Sequence, residues 1–156
     1  MPDVVLVEPE IPQNTGNIGR TCVGLGYKLW LVKPLGYELS DKYLRRAGLD
    51  YWQHLDFEII ENVETMFEMF ADRRKWFFSK KATQVYTDVT YQHDDLLIFG
   101  KETKGLSDDV LGTYQSQLLQ IPMRAEARSL NLATAVAICG YEVVRQLGLP
   151  APHIQG

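Results

Sequence analysis

Cysteine is nearly absent. Cys22 and Cys139 are the only two, far apart and outside any Cys-x-x-Cys pair. That spacing argues against a disulfide scaffold and for a reducing compartment, with both thiols packed as small apolar groups. His54, His93 and His153 are scattered, so no zinc-ligand spacing arises and no metal is expected. No apolar run nears the roughly 20 residues that span a bilayer. Met1-Pro2-Asp3 enters a short apolar run with no basic stretch before it, and the chain reads as cytoplasmic, with no membrane partner. A basic surplus is missing as well. The formal net charge is -4, so overall charge gives no help to a nucleic-acid reading.

Several nucleotide and hydrolase motifs are also missing. Gly24 and Gly26 start a dinucleotide fingerprint, but Leu29 stands where its third glycine belongs. Gly100 and Gly105 have Walker spacing, yet Leu106 and Ser107 follow, so the phosphate-binding lysine is absent. No Gly-x-Ser-x-Gly elbow and no His-Glu-x-x-His helix occurs, which removes common hydrolase classes.

What remains is an ordinary globular composition at 156 residues, enough for one domain over 1–156 with a proper core. Strand and helix patterns alternate. Val4–Val7, Leu29–Val32, Phe57–Ile60, Trp76–Ser79, Asp95–Phe99 and Gln117–Ile121 read as six strands. Helical spacing covers Asn14–Gly26, Asp41–Arg46, a helix capped by Asn62, Ser107–Tyr114 and Asn131–Leu147. The alternation predicts an α/β fold, a mainly parallel sheet with helices on both faces. The final helix is apolar nearly all round, so it is either central to the monomer or packed on a second subunit; a homodimer is the favoured expectation.

Charge is uneven. Leu55 to Asp72 holds six acids and no Lys or Arg. Basic residues gather at Lys42, Arg45 and Arg46, at Arg73 to Lys75, at Lys80 and Lys81, at Lys101 and Lys104, and at Arg124 and Arg128. They form either solvated surface charge or a locally basic face.

Three glycine-bearing or proline-bearing segments follow strands: Asn14-Thr15-Gly16-Asn17-Ile18-Gly19-Arg20, Phe99-Gly100-Lys101-Glu102-Thr103-Lys104-Gly105-Leu106, and Ile121-Pro122-Met123 running to Ser129-Leu130-Asn131-Leu132. Loops at the carboxyl ends of strands are where an open α/β sheet builds its binding site. Gly16 and Gly100 let backbone approach a ligand or turn with positive φ. Ile121-Pro122-Met123 suits an adenine ring, held by main-chain groups and apolar contact. A buried Arg20 among Asn14 and Asn17 suits bidentate phosphate binding, or else a surface salt bridge.

In these three segments, taken in order, the chain resembles the SPOUT superfamily of RNA methyltransferases, in its SpoU branch. The resemblance runs from Val4 to Leu149. A further stretch, Arg45-Arg46-Ala47-Gly48-Leu49-Asp50-Tyr51-Trp52, is similar to the subgroup that methylates the ribose 2′-hydroxyl of the tRNA wobble nucleotide, cytidine or modified uridine. Lys101 departs from a proline common in close relatives, and Lys104 from an arginine.

The resemblance implies a C-terminal deep trefoil knot, an obligate homodimer and S-adenosylmethionine as methyl donor. It implies donor contacts at Phe78, Ser79, Gly100, Ile121, Met123, Ser129 and Leu130. It casts Arg20 at the 2′-hydroxyl, with Asn14, Glu102, Ser129 and Asn131 completing the site. Glu102 either acts there or braces its loop. Tyr141 either reaches the target nucleotide or packs at the dimer seam. Arg45, Arg46, Arg124 and Arg128 are the candidates for phosphates of a tRNA anticodon stem-loop. Tyr51 or Trp52 stacks on an unpaired base, unless Trp52 belongs to the core. With no separate RNA-binding domain expected, the catalytic unit grips its own substrate. Two rival readings stay open: the same chemistry on ribosomal RNA or another tRNA position, and a non-catalytic dimeric RNA-binding module.

Overall fold

The computed structural model describes residues 1–40, 42, 44, 46 and 49–149. In chain order it has β1 (Asp3–Val7), α1 (Pro12–Leu25), β2 (Leu29–Val32), β3 (Phe57–Ile60), α2 (Val63–Met69), β4 (Lys75–Phe78), β5 (Gln84–Val85), β6 (Leu96–Phe99), α3 (Asp108–Thr113), β7 (Leu118–Gln120) and α4 (Leu132–Leu147). Short 3₁₀ turns lie at Leu49–His54, Gln115–Gln117 and Ala125–Ala127. The seven strands form one sheet in the order β3-β2-β1-β6-β4-β7-β5. Every pairing of named strands is parallel. The expected α/β architecture is therefore present, with one strand more than the periodicity indicated. The extra strand, β5, is two residues long and carries no apolar run.

Strand alternation divides the core in two. Val4, Leu6, Leu29, Leu31, Leu97, Phe99 and Leu119 face α1 and α4, meeting Ile18, Cys22, Leu25, Val136, Cys139 and Val143. Val5, Trp30, Val32, Phe77, Leu96 and Ile98 face the other side, meeting Met66, Phe70 and Leu111. Burial on both faces is why these strands read as continuous apolar runs. Both cysteines are free and buried. Burial pushes their thiols well above the ordinary value, so they stay protonated and act as packing groups.

Helix starts follow their capping chemistry. Asn62 accepts from the Thr65 amide at 2.7 Å, Ser107 from Val110 at 3.3 Å, and Asn131 from Ala133 and Thr134 at 2.9 and 3.3 Å. Helix α1 differs: Pro12 opens it, and Ile11 at the cap position offers no side-chain acceptor. Proline is preorganised for the first helical position. The helix therefore begins earlier than expected, and the whole Asn14–Arg20 segment is helical rather than partly loop. Of the helix expected over Asp41–Arg46, residues 42, 44 and 46 are helical and Leu44 is fully buried. Arg45, like Asp41 and Tyr43, lies outside the described residues.

Asp95 organises the amino edge of the sheet. It is fully buried and accepts from Arg74 Nε and Nη2 at 2.7 Å each, from Trp76 Nε1 at 3.0 Å and from the Gln92 amide at 2.8 Å. Nearby, Asp3 takes Arg73 at 2.8 Å and the Trp30 indole at 2.9 Å. Asp95→Ala leaves Arg74 and Trp76 without their shared acceptor. The expected loss is about 3 kcal/mol, measured as a lower urea midpoint at unchanged slope.

Candidate active site

Strands β1 and β6 are neighbours whose chains leave in opposite directions. β1 leads through α1 to β2 on one side, and β6 leads through α3 to β7 on the other. Such a switch point opens a crevice at the carboxyl ends of the strands. Here two loops meet across it. Glu102, after β6, accepts from the backbone amides of Glu10 at 2.8 Å and Ile11 at 3.1 Å, after β1. It thereby satisfies amides at the start of the helix that has no cap of its own. The exchange is reciprocal: Glu10 accepts from the Thr103 amide at 3.1 Å and from its hydroxyl at 2.7 Å. Lys101 adds an ion pair with Glu8 at 3.2 Å. The hydroxyl and amide of Thr103 hold the Glu10 carboxyl below its ordinary value, with Lys101 and Lys104 adding to the effect.

Asn14 extends the cluster. Its Nδ2 donates to Glu102 Oε1 at 3.4 Å, and its Oδ1 accepts from Asn131 Nδ2 at 3.0 Å. Asn131 in turn caps α4. All three signature segments are thus joined by one chain of hydrogen bonds, Glu102–Asn14–Asn131. Beside Asn14, Thr15 and Tyr37 share a hydrogen bond of 2.6 Å between their hydroxyls. Burial pushes Tyr37 up to about 12 despite the Thr15 contact, so the phenol stays neutral.

The expected donor contacts are distributed along one edge. Phe78 ends β4, aligned with Phe99 of β6 and Leu119 of β7. Its ring stacks on Phe99 with centroids 4.6 Å apart and planes 7° apart. The Ser79 amide donates to Leu119 O at 2.9 Å. Gly100 is required for close approach, though to protein rather than ligand. A Cβ there would stand 2.2 Å from the Gly105 carbonyl carbon and 2.3 Å from the Leu106 nitrogen. Gly16 is buried inside α1, and the positive-φ glycines are Gly26, Gly105 and Gly148. Ile121 and Leu130 are half-buried, while Met123 and Ser129 are exposed. The loop they share contains a strained turn: Arg128 has φ 61° and ψ -57°, and the Ser129 amide reaches back to Ala127 O at 2.6 Å. That is a positive-φ γ-turn, the rare and strained form.

Other expected residues do not join this cluster. Arg20 is exposed rather than buried among asparagines. It lies six residues beyond Asn14 on α1, about 9 Å along the axis. Its guanidinium carbon sits 4.5 Å above the centroid of Tyr51, with Nη2 3.4 Å from the phenol oxygen. Tyr51 thus stacks on an arginine. Trp52 packs against Phe57 at 5.0 Å between centroids and borders Gly19, taking the core alternative. Tyr141 is 55% exposed on α4. Arg46 and Arg128 are exposed, and Arg124 reaches only Glu126, at 3.7 Å.

The residues that sequence reasoning missed are Glu8, Glu10 and Thr103. Glu10 lies between Pro9 and Pro12, in a stretch with no periodicity. The available signal was a carboxylate in a short proline-flanked loop directly after a buried strand.

Comparison with known proteins places this arrangement. The profile described as the SpoU rRNA Methylase family matches residues 2–141. The chain belongs to that SpoU family. A relative from Yersinia pestis, named tRNA (cytidine(34)-2′-O)-methyltransferase, is 43% identical over 96% of this chain and 96% of its own. Among solved structures, one described as giving structural insights into the 2-OH methylation of C/U34 on tRNA is 42% identical. It has a TM-score of 0.89 and covers 94% of this chain and 91% of that one. A second, an AdoMet-bound rRNA methyltransferase from Sinorhizobium meliloti, is 25% identical with a TM-score of 0.84. It covers 94% of this chain and 56% of that one. In this SpoU chain the sequence motifs and the hydrogen-bonded cluster coincide.

Glu102→Gln removes the charge and sets an amide NH₂ against a backbone N–H. The expected loss is about 2 kcal/mol in urea unfolding. Glu10 adds a pH dependence. Its folded pKa is depressed, so its contribution is present above the ordinary carboxylate value and is lost as pH falls through the lowered one. Glu10→Gln should flatten that part of the acid limb of the stability profile.

Proposed function

We propose that this chain transfers the methyl group of S-adenosylmethionine to the ribose 2′-hydroxyl of the tRNA wobble nucleotide, cytidine or modified uridine. The observation that carries the reading is the Glu102–Asn14–Asn131 chain, which ties three SpoU signature segments into one site at the switch point. Near-full-length identity to relatives named for this reaction supports the substrate.

The residues present fit the donor. The stacked Phe78 and Phe99 pack in one apolar cluster with Leu119, with half-buried Ile121 against it. Beyond them runs a loop with backbone groups at Met123, Ser129 and Leu130. Apolar walls with main-chain donors and acceptors suit a nucleoside better than they suit a bare phosphate. Phe78, Ser79, Gly100, Ile121, Met123, Ser129 and Leu130 hold it in this reading. When bound, the donor supplies a sulfonium methyl whose departure neutralises a positive charge.

The protein's task is then alignment and proton removal. A ribose hydroxyl is a weak nucleophile at neutral pH, and correct orientation supplies about 7–11 kcal/mol in favourable cases. The Arg20 guanidinium offers only hydrogen-bond donors and no acceptor. It therefore orients the hydroxyl and stabilises the charge growing on oxygen, while a phosphate or water accepts the proton. Asn14 and Glu102 hold the segment that carries Arg20. Glu102 accepts from the Glu10 and Ile11 backbone amides, which supports the bracing role.

The apolar α4 supports a homodimer, and the family membership supports a C-terminal trefoil knot and a cytoplasmic setting. Tyr141, exposed on α4, belongs to the subunit seam or to the target nucleotide. Arg46, Arg124 and Arg128, which are exposed, meet phosphates of the anticodon stem-loop together with Arg45. No described helix is long and apolar enough to cross a membrane.

The decisive experiment methylates total tRNA from a strain lacking the activity and locates the new ribose methyl by mass spectrometry. The expected product carries it at nucleotide 34. A ribose methyl at another tRNA position, or donor binding without transfer, would select one of the rival readings. Arg20→Lys should lower turnover about 100-fold while leaving donor affinity by calorimetry intact. Near-full turnover in that variant would remove the need for a planar guanidinium.

A further inference from the structure

We propose that Tyr51 is the positioning residue of Arg20: its ring fixes the orientation of the guanidinium and leaves the charge unneutralised for substrate. The inference rests on the reading of Arg20 as the residue at the ribose.

Arg20 projects from α1 into solvent on a long side chain with several rotatable bonds. Left alone, such a guanidinium samples many positions. Here it lies over the Tyr51 ring at 4.5 Å, with Nη2 directed to the phenol oxygen at 3.4 Å. The phenol uses one donor, and the rest of the fork stays open for ribose and phosphate oxygens.

The choice of partner matters chemically. A carboxylate would also hold the arginine, but it would compete with phosphate for the same fork. An aromatic face attracts the cation through its quadrupole and leaves the net charge in place. Among the described residues no carboxylate pairs with Arg20, whereas Arg73, Arg74 and Arg145 all have one.

The platform is itself anchored. Tyr51 stands on the 3₁₀ turn Leu49–His54, which packs on α1. Trp52 closes over Gly19, where a Cβ would come within 3.2 Å of its ring and 3.0 Å of Leu55. Leu55 is 9% exposed, and its amide bonds Trp52 O at 3.2 Å. Tyr51 is 39% exposed on this buried base. It is a poor contributor to the core and a well-placed support for a neighbouring cation.

The test compares Tyr51→Phe and Tyr51→Leu in the full chain, alone and with Arg20→Lys. NMR of the Arg20 Nε–H reads geometry directly. The upfield ring-current shift should persist in Tyr51→Phe and vanish in Tyr51→Leu. Kinetics read the consequence. Tyr51→Leu should lower kcat about tenfold or more, with donor affinity and thermal midpoint unchanged, while Tyr51→Phe recovers a third or more of the rate. Combined with Arg20→Lys, Tyr51→Leu should add nothing. Multiplying losses, an Arg20 resonance insensitive to Tyr51→Leu, or a rate loss matched by falling stability would overturn the proposal. A wild-type chain inactive on tRNA would instead defeat the functional reading, and the resonance would still report whether Tyr51 holds the guanidinium.

Discussion

The carboxylate of Glu102 stands where three segments of the chain meet. Helix α1 begins with a proline and an isoleucine, neither of which satisfies the free amides of a helix start. An acid 91 and 92 positions away supplies the missing acceptors. Through Asn14 the same group reaches Asn131 and so the start of α4. Two helices that pack on each other and on one face of the sheet therefore begin at a shared polar junction. The crevice, the donor-side loops and the direction in which α1 carries Arg20 all follow from that junction.

The two edges of the sheet are built differently. At the amino edge, buried Asp95 and half-buried Asp3 gather arginines and indoles into hydrogen-bonded networks. At the carboxyl edge, carboxylates bind main-chain amides, a threonine hydroxyl and Lys101, while Arg20 rests on an aromatic ring. The two ends of the same strands thus use their carboxylates differently.

Much of this was legible in the residues. The runs at 29–32 and 57–60 became strands with the expected limits, the first a continuous apolar stretch covered on both faces and the second a partly exposed strand beside it. The cap at Asn62 read correctly, and the helices expected from Ser107 and Asn131 begin one residue after each, because these side chains act locally. Long-range pairing did not read. The Glu10–Thr103 and Glu8–Lys101 contacts join residues 93 apart, and no local pattern announces them. Gly16 and the segment around it suggested a loop, whereas Pro12 was the stronger signal and drew the helix start forward. β5 was invisible because two residues, one polar and one apolar, are too few to carry a period. The Arg20–Tyr51 stack was hidden for the same reason as the loop contacts: its members come from separate elements.

The junction also bears on how sequences of this kind are read. The acid that accepts from the Glu10 and Ile11 amides serves the fold directly, independent of any chemistry beside it. Glu102 therefore reports on architecture, whereas the Arg20–Tyr51 stack stands apart from that junction.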